Sequence, residues 1–168
     1  MTPPRQQRKA LARAVLLCVG FGFVLPGVFV NPAVAQAPAE RIVVNPNSGL
    51  GLSGFDPVAY FTDKKPVIGK PELEFTSGNA IFRFANEGNR AAFIENPDVY
   101  TPRFGGYDPV AVARGASVPG HPLFWTVAAG RLYVFYNEAA RVAFAVDPGR
   151  IIETAERKWP DVARAIGQ

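Results

Sequence analysis

The sequence predicts a small α+β domain built from two tandem hairpin–helix units and closed by a C-terminal helix. Three observations carry that expectation. Gly54-Phe55-Asp56-Pro57-Val58-Ala59 returns as Gly106-Tyr107-Asp108-Pro109-Val110-Ala111. Each copy then holds two short apolar segments separated by turn residues, the pattern of a β-hairpin. Each hairpin is followed by Asn-Glu, a run containing alanine and phenylalanine, and a proline, the start and stop signals of a helix.

The echo stays in register beyond its opening. Gly69 and Pro71 answer Gly120 and Pro122, Phe84 answers Phe135, and Asn86-Glu87 answers Asn137-Glu138. Arg90, Phe93 and Pro97 answer Arg141, Phe144 and Pro148, at an offset of 52 through Ala59 and 51 from Gly69 onward. A repeat at fixed spacing marks one supersecondary unit copied in tandem, each copy covering a face that the other leaves open. The duplication spans residues 54–100 and 106–151 within a domain of residues 47–168, and the closing helix spans residues 151–166.

Residues 1–35 precede any fold. Arg5, Arg8, Lys9 and Arg13 form a basic start, residues 14–30 are almost unbroken apolar chain, and Ala33-Val34-Ala35 offers small residues for cleavage. This is the layout of a secretory signal peptide cut after Ala35. The alternative is an uncleaved membrane anchor, but the run of 17 residues is interrupted by Gly20, Gly22, Pro26 and Gly27. A comfortable span needs about 20 residues. The expectation is therefore an exported protein, periplasmic or extracellular, with no stable membrane insertion after cleavage.

Export changes the charge balance. The full chain carries 18 Lys and Arg against 14 Asp and Glu, and four basic residues with no acid fall in the first 35, leaving 14 of each. A neutral mature chain gives no electrostatic reason to expect nucleic acid as a partner. Its 133 residues suffice for one core. Cys18 is the only cysteine, Met1 the only methionine and His121 the only histidine, so the exported part has neither disulfides nor soft sulfur ligands.

Residues 36–46 read as a linker, or a loose edge strand at Ile42-Val43-Val44. Residues 57–61 read as a short strand leaving the Asp-Pro turn. Residues 72–76 alternate apolar and polar, Ser77-Gly78-Asn79 turns, and residues 80–85 return as the hairpin partner. Asn86 caps the following helix and Pro97 stops it. The second copy repeats this with strands at residues 123–128 and 132–136, a turn at Ala129-Gly130, Asn137 as cap and Pro148 as stop. Leu132 to Tyr136 are apolar on both faces, which suits the centre of a sheet. The tail is read as a helix broken at Trp159-Pro160, with Ile152, Ala155, Trp159, Val162 and Ile166 forming one apolar stripe.

These residues, in this order, resemble the exported YHS-domain proteins. The resemblance rests on the Gly-aromatic-Asp-Pro-Val-Ala-Tyr-Phe opening at residues 54–61, Phe82-Arg83-Phe84, and the Asn-Arg-x-x-Phe helix at residues 89–93. It continues through Asn96-Pro97 and Tyr100, Gly105-Gly106-Tyr107, Trp125-Thr126-Val127, residues 132–137 and Lys158-Trp159-Pro160. The similarity covers residues 47–163 and implies an α+β domain of hairpins each followed by a helix. It also implies a link to heavy-metal handling, so a metal ion is the cofactor that the resemblance suggests. Here the chain departs from the family pattern. Asp108 stands where exported relatives usually carry cysteine after Gly-Gly-Tyr. Ala59, Ala85 and Asn89 stand where cysteine-bearing modules have ligands. Copper(I) and zinc favour thiolate or imidazole, and the residues themselves lead to no cofactor.

Other chemistries have weaker footing. Asp56 and Asp108 are equivalent in the two copies, so pseudo-symmetry could pair their carboxylates around a hard cation or as acid and base. Equally, Asp before Pro commonly starts a turn by accepting an amide two residues on. His121 answers Lys70 and reads as an exposed loop tip, with a ligand role as the alternative. Ser117 lies near it, but no Gly-x-Ser-x-Gly elbow surrounds any serine. Gly49-x-Gly51-x-x-Gly54 matches a dinucleotide fingerprint in spelling but precedes a hairpin rather than a crossover unit, and reads as a flexible loop. Tyr60, Tyr107, Trp125 and Tyr136 could line a pocket, or pack the two copies together. The favoured reading is a non-enzymatic exported binding or accessory module that has lost the family's thiol ligands. The alternatives are a hard-cation or carboxylate-dependent enzyme on Asp56 and Asp108, or a residual heavy-metal role.

Overall fold

The computed structural model describes residues 41–167. The expected signal peptide and its cleavage after Ala35 lie outside them. Among the described residues no helix is long and apolar enough to cross a membrane.

The fold is α+β, and the two copies are built alike. The first comprises α1 (Ala59–Thr62), β1 (Lys70–Ser77), β2 (Ala80–Phe84), α2 (Glu87–Glu95) and α3 (Pro97–Tyr100). The second comprises α4 (Pro109–Ala113), β3 (His121–Ala128), β4 (Arg131–Phe135), α5 (Glu138–Val146) and α6 (Pro148–Ile166). β1 pairs antiparallel with β2, and β3 with β4, as two separate two-stranded sheets. Both hairpins slip register at the same place, between Lys70 and Glu74 and between His121 and Trp125.

The shared opening dipeptides serve one construction. Before each Asp-Pro the backbone makes a single left-handed turn, with positive φ at Leu52, Ser53 and Gly54 and again at Phe104, Gly105 and Gly106. Five of those six residues are buried, all but Ser53, and Leu52 and Phe104 carry the strain of a conformation that L-residues rarely adopt. The glycine-rich stretch at residues 49–54 is thus an ordered turn rather than a flexible loop. Gly54 O accepts from Gly69 N at 2.9 Å, and Gly106 O accepts from Gly120 N at 2.9 Å. A Cβ on Gly69 would lie 2.4 Å from the Arg83 carbonyl carbon, so only glycine lets these chains approach.

Residues 57–61 form a helical turn, not the expected strand. The cause is local: the Asp56 side chain accepts the amides of Val58 and Ala59 and winds the chain before any strand partner is available. Asn86 and Asn137 cap α2 and α5 as expected, each side-chain oxygen accepting from the residue three on, Asn89 N at 2.8 Å and Ala140 N at 2.9 Å. Pro97 and Pro148 stop those helices and also open the next ones, where a missing N–H costs nothing. α6 runs unbroken through Pro160, against expectation. Pro160 faces solvent, which can hydrate the carbonyl it leaves free, while Ala155, Trp159 and Val162 anchor the helix on either side.

Two cores repeat the same design. In the first, Phe93 of α2 packs on Phe82 and Phe84 with ring centroids 4.9 and 5.3 Å apart. In the second, Phe144 of α5 packs on Tyr133 and Phe135 at 5.3 and 5.1 Å. β4 explains its apolar composition differently from expectation, since a two-stranded sheet has no central strand. Leu132 and Val134 point into the first core, and Tyr133 and Phe135 into the second. The strand is buried on both faces because it lies between the cores.

Of the segment expected as a linker or loose edge strand, the described residues 41–46 pack onto the domain, and residues 36–40 lie outside the described residues. Ile42 is buried, and its amide and carbonyl pair with the Asn79 side chain, both at 2.9 Å. Val43 N donates to Gly105 O at 2.7 Å, Val44 bridges Gly51, and Arg41 donates to the Ile166 carbonyl at the end of α6. Residues 41–44 therefore strap the first hairpin turn to the second copy.

Candidate functional site

The two equivalent aspartates are buried, and each belongs to its own copy. Asp56 is fully enclosed. Its Oδ1 accepts from Val58 N at 2.8 Å and Ala59 N at 3.3 Å. Its Oδ2 accepts from Ala85 N at 2.8 Å and from Asn89 Nδ2 at 2.7 Å. The carboxylate thus ties the first helical turn to the end of β2 and the start of α2. Four N–H donors replace the water that a buried charge gives up. The three positions that the YHS resemblance marks for ligands, Ala59, Ala85 and Asn89, converge here as donors to a carboxylate.

Asp108 repeats the arrangement with one donor fewer. Its Oδ1 accepts from Val110 N at 2.8 Å and Ala111 N at 3.4 Å, and its Oδ2 accepts from Tyr136 N at 3.0 Å. The counterpart of Asn89 is Ala140, whose methyl group donates nothing. The space beside it is a cavity of about 330 Å³ whose wall includes Asp108, Val110, Val118, Tyr136 and Ala140, with Arg114 also lining it. Asp108 remains 3 % exposed. The first copy is closed around its carboxylate, and the second is open beside it.

The turn-starting role expected for Asp-Pro is what both aspartates perform, extended by a bond to the strand end that sequence spacing did not reveal. Each carboxylate is bound by donors of its own repeat, so the two do not form a shared dicarboxylate site. Among the described residues no three of His, Cys, Asp and Glu cluster as metal ligands. His121 is exposed as expected, but it is the first residue of β3 rather than a loop tip. Its Nδ1 accepts from Leu123 N at 3.3 Å, and its ring lies 5.6 Å from that of Phe124.

The four aromatic residues do not line one pocket. Tyr60 is fully buried, donates its hydroxyl to Pro122 O at 3.0 Å and meets Trp125 edge to face at 5.1 Å. Burial raises its phenol pKa, and the Asp56 carboxylate adds to the rise. That bond joins the copies. Tyr107 packs on Trp159 at 6.0 Å in the second core, where burial raises its pKa against the opposing charge of Arg41. Tyr136, 59 % exposed, lies at the Asp108 cavity. Arg114, Val118 and Ala140 were missed as neighbours of Asp108. The signal was a repeat mismatch, Asn89 against Ala140, in two copies that both keep the aspartate.

A second hollow of about 210 Å³ lies under residues 43–46, against the left-handed turns and Val134, and has no charged group in its wall. Compared with protein-family models, with curated proteins and with solved structures, the chain matches none.

Proposed function

We propose that this chain is an exported YHS-type module that binds rather than catalyses, and that has given up the thiol ligands of its cysteine-bearing relatives. The observation that carries the reading is the environment of Asp56. At the positions where the resemblance expects ligands, two backbone amides and one side-chain amide point at a carboxylate that accepts four hydrogen bonds. A carboxylate so saturated has no lone pair directed at an ion, and the positions around it hold donors rather than thiolates or imidazoles. The first copy is a structural half. The second, with its open cavity, is the half that can receive a ligand.

A carboxylate-dependent reaction would need the two aspartates, or one of them and His121, to face a common space. No observation favours that arrangement. Elemental analysis of the processed protein, purified from its native compartment, tests the proposal. Substoichiometric copper and zinc are expected, with an N-terminus beginning at Gln36. Stoichiometric copper or zinc that survives dialysis would overturn it.

A further inference from the structure

We propose that the cavity beside Asp108 binds a small aliphatic zwitterion, its ammonium group donating to Asp108 and its carboxylate accepting from Arg114. The inference rests on the binding-module reading and supplies its ligand class. The repeat provides an internal reference. In the first copy, the Oδ2 of the same carboxylate takes a backbone amide and, at 2.7 Å, the Asn89 side-chain amide. In the second, Oδ2 takes only Tyr136 N, and the room of the missing amide is part of a cavity of about 330 Å³. A buried carboxylate is stabilised by each N–H aimed at it, so the vacated direction is an attractive position for a nitrogen donor. Neither Asp108 nor Arg114 takes part in an ion pair among the described residues.

Charge selects the ligand class. A cation is better than a neutral amide against Asp108, because a charge-assisted bond is the stronger one. A bare alkylammonium would also meet the repulsion of Arg114 across a cavity of low polarity, whereas a carboxylate at the other end turns that repulsion into a bidentate contact. Much of the remaining wall is apolar, with Val110, Val118, Ala140 and Ala143, and the Asn137 side-chain oxygen is already bound to Ala140 N, which suits an aliphatic body. The volume is at the small end of ligand sites, suited to a molecule of amino-acid size.

The test is an amide-resolved NMR titration of metal-free processed protein with L-alanine and L-valine, against propylammonium and propionate as half-ligands. Saturable shifts are expected at the amides of Val110, Ala111 and Tyr136, with at least one zwitterion binding about tenfold more tightly than either half-ligand. Ala140→Asn rebuilds the first copy's donor and should abolish the response. Ala140→Leu, which fills the space without a donor, should abolish it as well. Arg114→Gln should remove the preference for a zwitterion over propylammonium. No shift at those amides in the wild-type protein overturns the proposal, as does a response that survives both Ala140 variants. Equal binding of propylammonium overturns the zwitterion assignment. Metal content, read on the same preparation before metal removal, reports separately on the binding-module reading.

Discussion

Replacing Asn89 by alanine converts the closed copy into an imitation of the open one, and its cost can be worked from the structure. The substitution deletes one bond, Asn89 Nδ2 to Asp56 Oδ2 at 2.7 Å, on a carboxylate with no solvent access. Hydrogen bonds to charged groups contribute about 1.5–3 kcal/mol, and alanine in the first turn of α2 recovers roughly 0.5 kcal/mol of helix propensity. The Asn86 cap is untouched, because it binds the Asn89 backbone amide and not its side chain. The net loss is about 1–2.5 kcal/mol, which lowers Tm by about 3–10 °C in a domain of this size. Urea titration followed by tryptophan fluorescence suits the measurement. Trp125 packs against the first core and Trp159 against the second, so both halves report. The m-value should not change. Ala140→Asn should shift stability the opposite way, because it adds the same donor to Asp108. An Asn89→Ala protein within about 0.5 kcal/mol of the wild type at unchanged m would refute the view that the fourth donor holds the buried charge.

Other outcomes follow from single contacts. Tyr60→Phe should cost about 1 kcal/mol in the same titration, the net contribution of the hydroxyl donated to Pro122 across the two copies. The raised Tyr60 pKa sets an alkaline limit. The folded phenol ionises above the unfolded value of about 10, so its contribution is complete below that pH and falls as pH climbs from there toward the folded value. Absorbance titration should show this phenolate appearing only with unfolding, and a normal titration in native protein would contradict its burial. Gly69→Ala should destabilise by about 2–3 kcal/mol because its Cβ meets the Arg83 backbone. Gly115→Ala has open space around it and should cost only the roughly 1 kcal/mol of a positive φ. Equal losses at the two glycines by thermal melting would remove the close-approach argument.

Much of this fold was legible because its signals are local and occur twice. The hairpins, the asparagine caps and the proline stops need only neighbours in sequence, and the second copy corroborated the first. The errors arose where distant groups decided the outcome. The strand expected at residues 57–61 ignored a side chain that satisfies its own backbone. The strap at residues 41–44 carries three successive apolar residues, but nothing local says that Asn79 and Gly105 will hold them. Pro160 continues its helix because of packing on both sides of it. At the candidate site, Asp108 was visible as a repeated aspartate, whereas the cavity depends on what Ala140 lacks, and an absence is legible only once the equivalent asparagine is seen at work.

β4 sends alternate side chains into different interiors, Leu132 and Val134 one way, Tyr133 and Phe135 the other. The first half of the duplication therefore cannot be excised with its core intact: cutting away the second half strips a wall from it. A single unit of this kind leaves that wall uncovered, and the second copy supplies the cover.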